Sequence, residues 1–268
     1  MRATDFFRDR RVFTRGEFLA ARVADGQANP RTADSLLTKY VASGDVVHVR
    51  RGLYALATSP TVDADPFLIA GKAASDAAIA YHAALQFHGK AYSVWHRYSF
   101  VTTKNVKPFS FGSSDFVPVA LPRALRAHRA LGGGIKVEPH GGQFVRVTTL
   151  ERTLVDVLDR PQLGGGWEEI WRSLEGVDFF DLDAVTDYAL KLDTVITIAR
   201  VGYFLDQHRE QLFVTDAHLK PLLARAPRQP RYFDERKAGS GTLVKPWNLI
   251  VPKRVQDRSW EETSSALV

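Results

Sequence analysis

The stretch VFTRGEFLAARVADGQANPRTADSLLTKYVASGDVVHVRRGLYALA, from Val12 to Ala57, decides the fold. Thr14 followed three residues later by Glu17 is a capping box, so a helix is expected from about Arg15 to Ala24. The loop Asp25-Gly26-Gln27-Ala28 leads to Asn29-Pro30, an N-cap and a proline suited to a first helical turn. A second helix is therefore expected over Pro30 to Ala42, stopped by Ser43-Gly44. Two β-rich runs follow, Val46 to Arg50 and Leu53 to Leu56, parted by Arg51-Gly52, which is hairpin spacing. Helix, helix and hairpin at these lengths read as a winged helix-turn-helix, whose second helix usually enters a DNA major groove.

Along the second helix Ala33, Leu36, Leu37, Tyr40 and Val41 recur at three and four residues and are expected to pack inward. Arg31, Asp34, Ser35, Thr38, Lys39 and Ala42 fall on the opposite side. Small polar groups flanked by cations suit contact with base edges and phosphates, so Arg31, Ser35, Thr38 and Lys39 are the expected DNA-facing residues. His48, Arg50 and Arg51 are expected to meet the neighbouring backbone from the hairpin, and Arg15 to hold a phosphate. Up to Thr58 there are ten Lys or Arg against six Asp or Glu, an excess that helps hold a polyanion and weakens with salt. The same face also fits a solvated surface on a unit that binds protein, and that alternative stays open.

The chain has 268 residues, more than one small module needs. The natural division is a DNA-binding domain over 1–58 and a larger domain over 66–268, joined through Thr58 to Asp65. With 45% hydrophobic and 25% charged residues the composition is that of a globular protein. A formal charge of +6 and a pI near 9.5 favour acidic partners, nucleic acid first. The absence of cysteine excludes disulfides, thiolate zinc fingers and cysteine nucleophiles together. Met1 to Arg11 lacks the apolar centre of a signal peptide, and no apolar run reaches membrane-spanning length. A cytoplasmic protein without membrane contact is expected.

In the larger domain Ala73, Ala77, Ala80, Tyr81, Ala84 and Leu85 keep helical spacing between Pro66 and Gly89. Tyr98 to Thr102, Phe116 to Ala120, Ile135 to Pro139 and Phe144 to Val147 read as strands of a mixed sheet. Thr148 and Glu151 form a second capping box, opening a helix to Asp159 with Leu150, Leu154, Val157 and Leu158 as its buried stripe. Helices are expected next over Trp167 to Leu174, Leu182 to Lys191, Thr194 to His208 and Asp216 to Leu223. The basic tail, Ala224 to Arg258, carries an apolar run at Trp247 to Val251 that reads as a final strand, and disorder is expected after Trp260. The fold class expected is α+β, a winged helix-turn-helix followed by a mixed α/β domain with a helical C-terminal half.

Catalytic signals are weak. The runs Gly132 to Gly134, Gly141-Gly142 and Gly164 to Gly166 lack the Lys-Ser/Thr offset of a phosphate loop and read as ordinary loops. No tight histidine spacing suggests a metal, and His82 and His88, six apart, read as packed or hydrogen-bonded side chains. Ser113-Ser114 and Ser240 lack a nucleophile elbow. Asp178, Asp181, Asp183 and Asp187 support a nuclease-like or nucleotidyl-processing enzyme as the alternative, although helix N-terminal charge explains them as well. Arg152 and Asp156, four apart, read as a surface ion pair on their helix. No catalytic residue, cofactor or metal site is expected, and the chain is not expected to be an enzyme.

Several stretches together resemble the AbiEi family of bacterial antitoxins and transcriptional regulators from type IV toxin–antitoxin systems. They are Arg50-Arg51-Gly52-Leu53-Tyr54-Ala55-Leu56, the run from Tyr81 to Gly89, and Val147 to Asp156, the most specific of them. Gly164 to Glu169, Arg200 to Leu205 and Trp247 to Val251 add support, so the resemblance spans about Val12 to Val251. It implies a winged module that binds repeats in its own promoter and represses it. It also implies a larger domain, marked by Arg152 and Asp156, that counteracts a nucleotidyltransferase-like toxin without needing a stable complex.

Overall fold

The computed structural model describes residues 6–7, 10–26, 29–57, 64–126, 131–234, 241–258 and 260. Most of the expected linker (58–63), half of the loop before Asn29, Ser240 and the segment after Trp260 lie outside them. The chain is a mixed α/β protein that divides into two compact units. One comprises the described residues up to Ala83 together with Trp95–Leu121 and Ile135–Val147; the other comprises Ala84–Val94, Pro122–Gly134 and Thr148 onward.

The first unit opens with β1 (Val12–Thr14), α1 (Arg15–Ala24), α2 (Pro30–Ala42), β2 (Val46–Arg50) and β3 (Leu53–Leu56). Both helices begin where the sequence places them, for the expected reason. The Glu17 amide donates to the Thr14 hydroxyl at 3.2 Å while the Thr14 amide donates to the Glu17 carboxylate at 2.7 Å. The Arg31 amide donates to the Asn29 side chain at 3.0 Å. Strand β1 was not anticipated. It pairs antiparallel with β3, giving a sheet in the order β1-β3-β2, and three residues are too few to show a period. Phe6, Phe13, Phe18, Ala33, Leu37 and Val46 form the core of this segment, with Leu36 and Tyr40 packed on it. Val41, expected inside, is 38% exposed: α2 meets the phenylalanine cluster through Ala33, Leu36, Leu37 and Tyr40, and Val41 falls outside that contact.

The same unit continues with α3 (Pro66–Lys72), β4 (Ala78–Ile79), α4 (His82–Phe87), β5 (Arg97–Thr102), β6 (Phe109–Phe111) and β7 (Ser114–Ala120), of which α4 runs on past Ala83. After α5 (Arg123–Arg126) come β8 (Ile135–His140) and β9 (Gln143–Thr148), completing a six-stranded mixed sheet in the order β6-β7-β5-β4-β9-β8. The helical spacing between Pro66 and Gly89 is therefore broken by a strand. Ala77 to Ala80 are fully buried, and a run apolar on all sides reads alike as a buried helix or a central strand. Gly71 lets α3 lie on β9, since a Cβ there would come within 2.8 Å of Val145.

The two-domain boundary at 58–66 is also corrected. The buried Gln143 side chain on β9 donates to the Val12 carbonyl at 2.8 Å and accepts from the Val12 amide at 3.2 Å, so β1 and the six-stranded sheet share one unit. That bond joins residues 131 positions apart, beyond any local pattern.

The second unit is mainly helical: α6 (Leu150–Asp159), α7 (Trp167–Glu175), α8 (Leu182–Leu192), α9 (Val195–Gln207) and α10 (Asp216–Leu223). The cap of α6 moves by one residue from the expected box. Thr149 accepts from the Arg152 amide, while the buried Thr148 hydroxyl, at the end of β9, bonds Thr153 at 2.7 Å. The tail forms β10 (Arg231–Tyr232), β11 (Gly241–Val244), β12 (Leu249–Pro252) and α11 (Lys253–Gln256), with β12 central in its sheet. Trp247 is fully buried against Gly202, where a Cβ would meet its ring at 2.1 Å. Among the described residues no helix is long and apolar enough to cross a membrane.

Candidate functional site

Arg31, Ser35, Thr38 and Lys39 are all exposed along one side of α2. The exposed Thr38 hydroxyl donates to the Asp34 carbonyl at 2.9 Å, a bond that restricts its rotamer and still leaves the oxygen able to accept. Asp34 is the only acid on this helix. The Arg15 guanidinium grips it as a fork, Nε to Oδ1 at 2.6 Å and Nη2 to Oδ2 at 2.7 Å, and its hydrogen bond holds the Asp34 carboxyl below the ordinary carboxylate value. Arg15 is thus not an open phosphate holder, as the sequence suggested, but the counter-ion that cancels the one negative charge on the face. Arg31 and Lys39 then set the sign of that face.

Of the hairpin residues His48, Arg50 and Arg51, only Arg50 is drawn into packing. His48 is exposed on β2, edge-on to Tyr54 at 5.3 Å. Arg50 is half-buried with its guanidinium 4.8 Å from the centre of the Phe109 ring, a cation–π contact with the six-stranded sheet. Arg50 and the exposed Arg51 both line a cleft of about 580 Å³ that Lys72 and Arg146 also border. Arg50 is therefore partly committed to packing, because the hairpin turn and the sheet belong to one body.

Glu17 joins this cleft to the cap of α1. Burial raises its carboxyl, but the bonds from Lys72 and Thr14 outweigh that and hold it below its ordinary value. A depressed carboxyl stabilises the fold above its unfolded value, roughly 4.3, and that support is lost as pH falls through the lower folded value. Glu17→Gln is expected to cost about 1 kcal/mol near neutral pH, read by urea denaturation, and to cost less in acid. An equal cost at every pH would exclude the ionised carboxylate as its source.

Arg152 and Asp156, expected as a surface pair, are each 1% exposed, a correction the tertiary structure forces. The Arg152 Nε donates to Asp156 Oδ2 at 3.1 Å, and its Nη1 donates to the carbonyls of Leu131 at 2.7 Å and Gly133 at 2.8 Å. The Tyr188 hydroxyl, on α8, donates to Asp156 Oδ1 at 2.9 Å, and the Arg152 guanidinium lies 5.2 Å from the Tyr188 ring centre. Burial pushes the Asp156 carboxyl up, while Arg152 and Tyr188 restrain the rise. Gly134, at φ +70°, is needed because a Cβ would stand 2.8 Å from that of Arg152. The glycine run is thus a clamp around a buried cation. Tyr188 carried no sequence signal, since it reaches Asp156 from 32 residues away.

The acidic stretch does not converge. Asp181 caps α8 by accepting from the Ala184 amide at 3.0 Å, and Asp178, 95% exposed, pairs with Lys90 at 3.1 Å. No cluster of three or more His, Asp or Glu suited to a metal occurs among the described residues. His82 stacks on Trp95 at 4.2 Å, and the His88 Nε2 lies 2.8 Å from the Thr148 carbonyl, so both are structural.

No protein-family model and no curated protein matches the chain. Among solved structures it is similar to the crystal structure of the Rv2827c protein from Mycobacterium tuberculosis. The two share 18% identity at a TM-score of 0.56, over 97% of this chain and 92% of that one. At this identity the similarity is one of fold.

Proposed function

We propose that this protein is a DNA-binding transcriptional repressor built on an N-terminal winged helix-turn-helix, and that it also acts as the antitoxin of a type IV toxin–antitoxin pair. The observation that carries the first half is the outer face of α2: Arg31, Ser35, Thr38 and Lys39 exposed on one helix whose single acid is neutralised by Arg15. The sheet order β1-β3-β2, with the hairpin directly after the second helix, is the connectivity this reading requires. The antitoxin half rests on the AbiEi resemblance, with a nucleotidyltransferase-like toxin as functional partner and double-stranded promoter DNA as ligand. Cytoplasmic location and the absence of catalysis belong to the same reading.

Titrating the purified chain against its own upstream fragment and a scrambled one, at two salt concentrations, tests it. Preferential binding that weakens with salt is expected. Equal binding to both fragments, or none, would leave a protein-binding module instead. Growth rescue on co-expression with the neighbouring gene tests the antitoxin half separately. Arg15→Ala is a sharper probe: it touches no base in this reading, yet it uncovers the Asp34 carboxylate beside the groove. Binding is expected to fall several-fold, and Arg15→Ala/Asp34→Ala to recover most of it.

A further inference from the structure

The cleft beside the hairpin in the first unit has a composition that the α2 face does not explain. Its lining holds four cations, Arg50, Arg51, Lys72 and Arg146, against one carboxylate, Glu17, which already pairs with Lys72. The surplus is positive within a concave volume of about 580 Å³, in the size range of small-molecule sites. Arg50 lines the cleft while its guanidinium packs on Phe109, so Arg51, Lys72 and Arg146 are the cations nearer a ligand in it. The exposed Arg146 guanidinium is oriented by its Nη1, which donates to the Ser75 carbonyl at 3.0 Å.

Strand β9 makes the site two-sided. Its residues alternate, Val145 and Val147 inward and Phe144 and Arg146 outward, so an aromatic ring and a guanidinium stand two residues apart on the solvent face. Phe144 is 71% exposed and Val137, on β8, is 61% exposed, and both line the cleft. Large apolar side chains left open beside a cluster of cations match a ligand that has a flat ring at one end and phosphate at the other.

We propose that this cleft binds a nucleotide, its phosphates held by Arg51, Lys72 and Arg146 and its base laid on Phe144. The site excludes α2 but shares Arg50 and Arg51 with the expected wing; it is measured without DNA, so its failure and that of the repressor reading are distinguishable.

Calorimetric titration of the whole chain at low salt, with adenosine triphosphate, adenosine and inorganic phosphate as probes, tests it. The triphosphate is expected to bind one-to-one, phosphate more weakly, and adenosine without detectable heat. Arg146→Ala is expected to weaken triphosphate binding about tenfold, the loss of one charged hydrogen-bond donor to phosphate. Phe144→Ala is expected to weaken it by a similar factor while leaving phosphate binding unchanged, since only the base uses the ring. Both positions are exposed, and circular dichroism reports that the variants fold. No saturable triphosphate binding, or an affinity unmoved by Arg146→Ala, would overturn the proposal. Loss of phosphate binding in Phe144→Ala would overturn the assignment of the ring to the base.

Discussion

Arg152→Ala is expected to destabilise the helical unit by about 3–5 kcal/mol, the range for removing one member of a buried ion pair. The reason is in what remains. Asp156 would stay fully enclosed with Tyr188 as its surviving hydrogen-bond donor, and the carbonyls of Leu131 and Gly133 would lose the guanidinium that now serves both. Asp156→Ala is expected to cost a comparable amount, by stranding the cation instead. A paired replacement, Arg152→Met with Asp156→Leu, keeps volume and removes both charges, and is expected to recover part of the loss. Urea denaturation of the four proteins measures this. If Arg152→Ala cost under about 1 kcal/mol, the pair would be behaving like an exposed one and its burial would carry no energetic weight. Promoter binding is expected to survive in any variant that stays folded, since this network lies in the other unit from α2.

The second large effect concerns DNA. Replacing Arg31 and Lys39 together by alanine is expected to lower affinity for the upstream fragment between about tenfold and a hundredfold at low salt. In the proposed reading each cation supplies one phosphate or base contact, and two lost contacts should reduce the slope of log affinity on log salt by about 1.8. Ser35→Ala and Thr38→Val act differently in this reading. They remove polar groups aimed at base edges and are expected to narrow the gap between operator and scrambled DNA while leaving the salt slope alone. An unchanged slope in the double cation variant would remove α2 from the interface.

Much of the local structure is legible in the sequence. The boundaries of α1, α2, β2 and β3 follow from Thr14, Glu17, Asn29, Pro30 and the Arg51-Gly52 turn, because caps and tight turns are settled by groups within four residues of each other. The helices of the second unit were legible for a related reason: their apolar stripes repeat over two or three turns. The exposure of Arg31, Ser35, Thr38 and Lys39 along one side of α2 was legible too. The electrostatics of that side were not, since the Arg15–Asp34 fork spans two helices.

What sequence alone determined, then, is the succession of elements and the amphipathic division of α2. Those depend on short-range hydrogen bonds and on which side chains share a helix face. Tertiary structure decided everything set by which surfaces meet. It made Ala78-Ile79 a strand, because a neighbour on each side was there to pair with it. It bound Val12 to Gln143 and so erased the boundary the composition suggested. It also turned Arg152 and Asp156 from a surface pair into a buried one. The spacing of four residues is the same in either setting; only the helices and the glycine loop packed around them set how far water can reach, and with it the strength of every charge they carry.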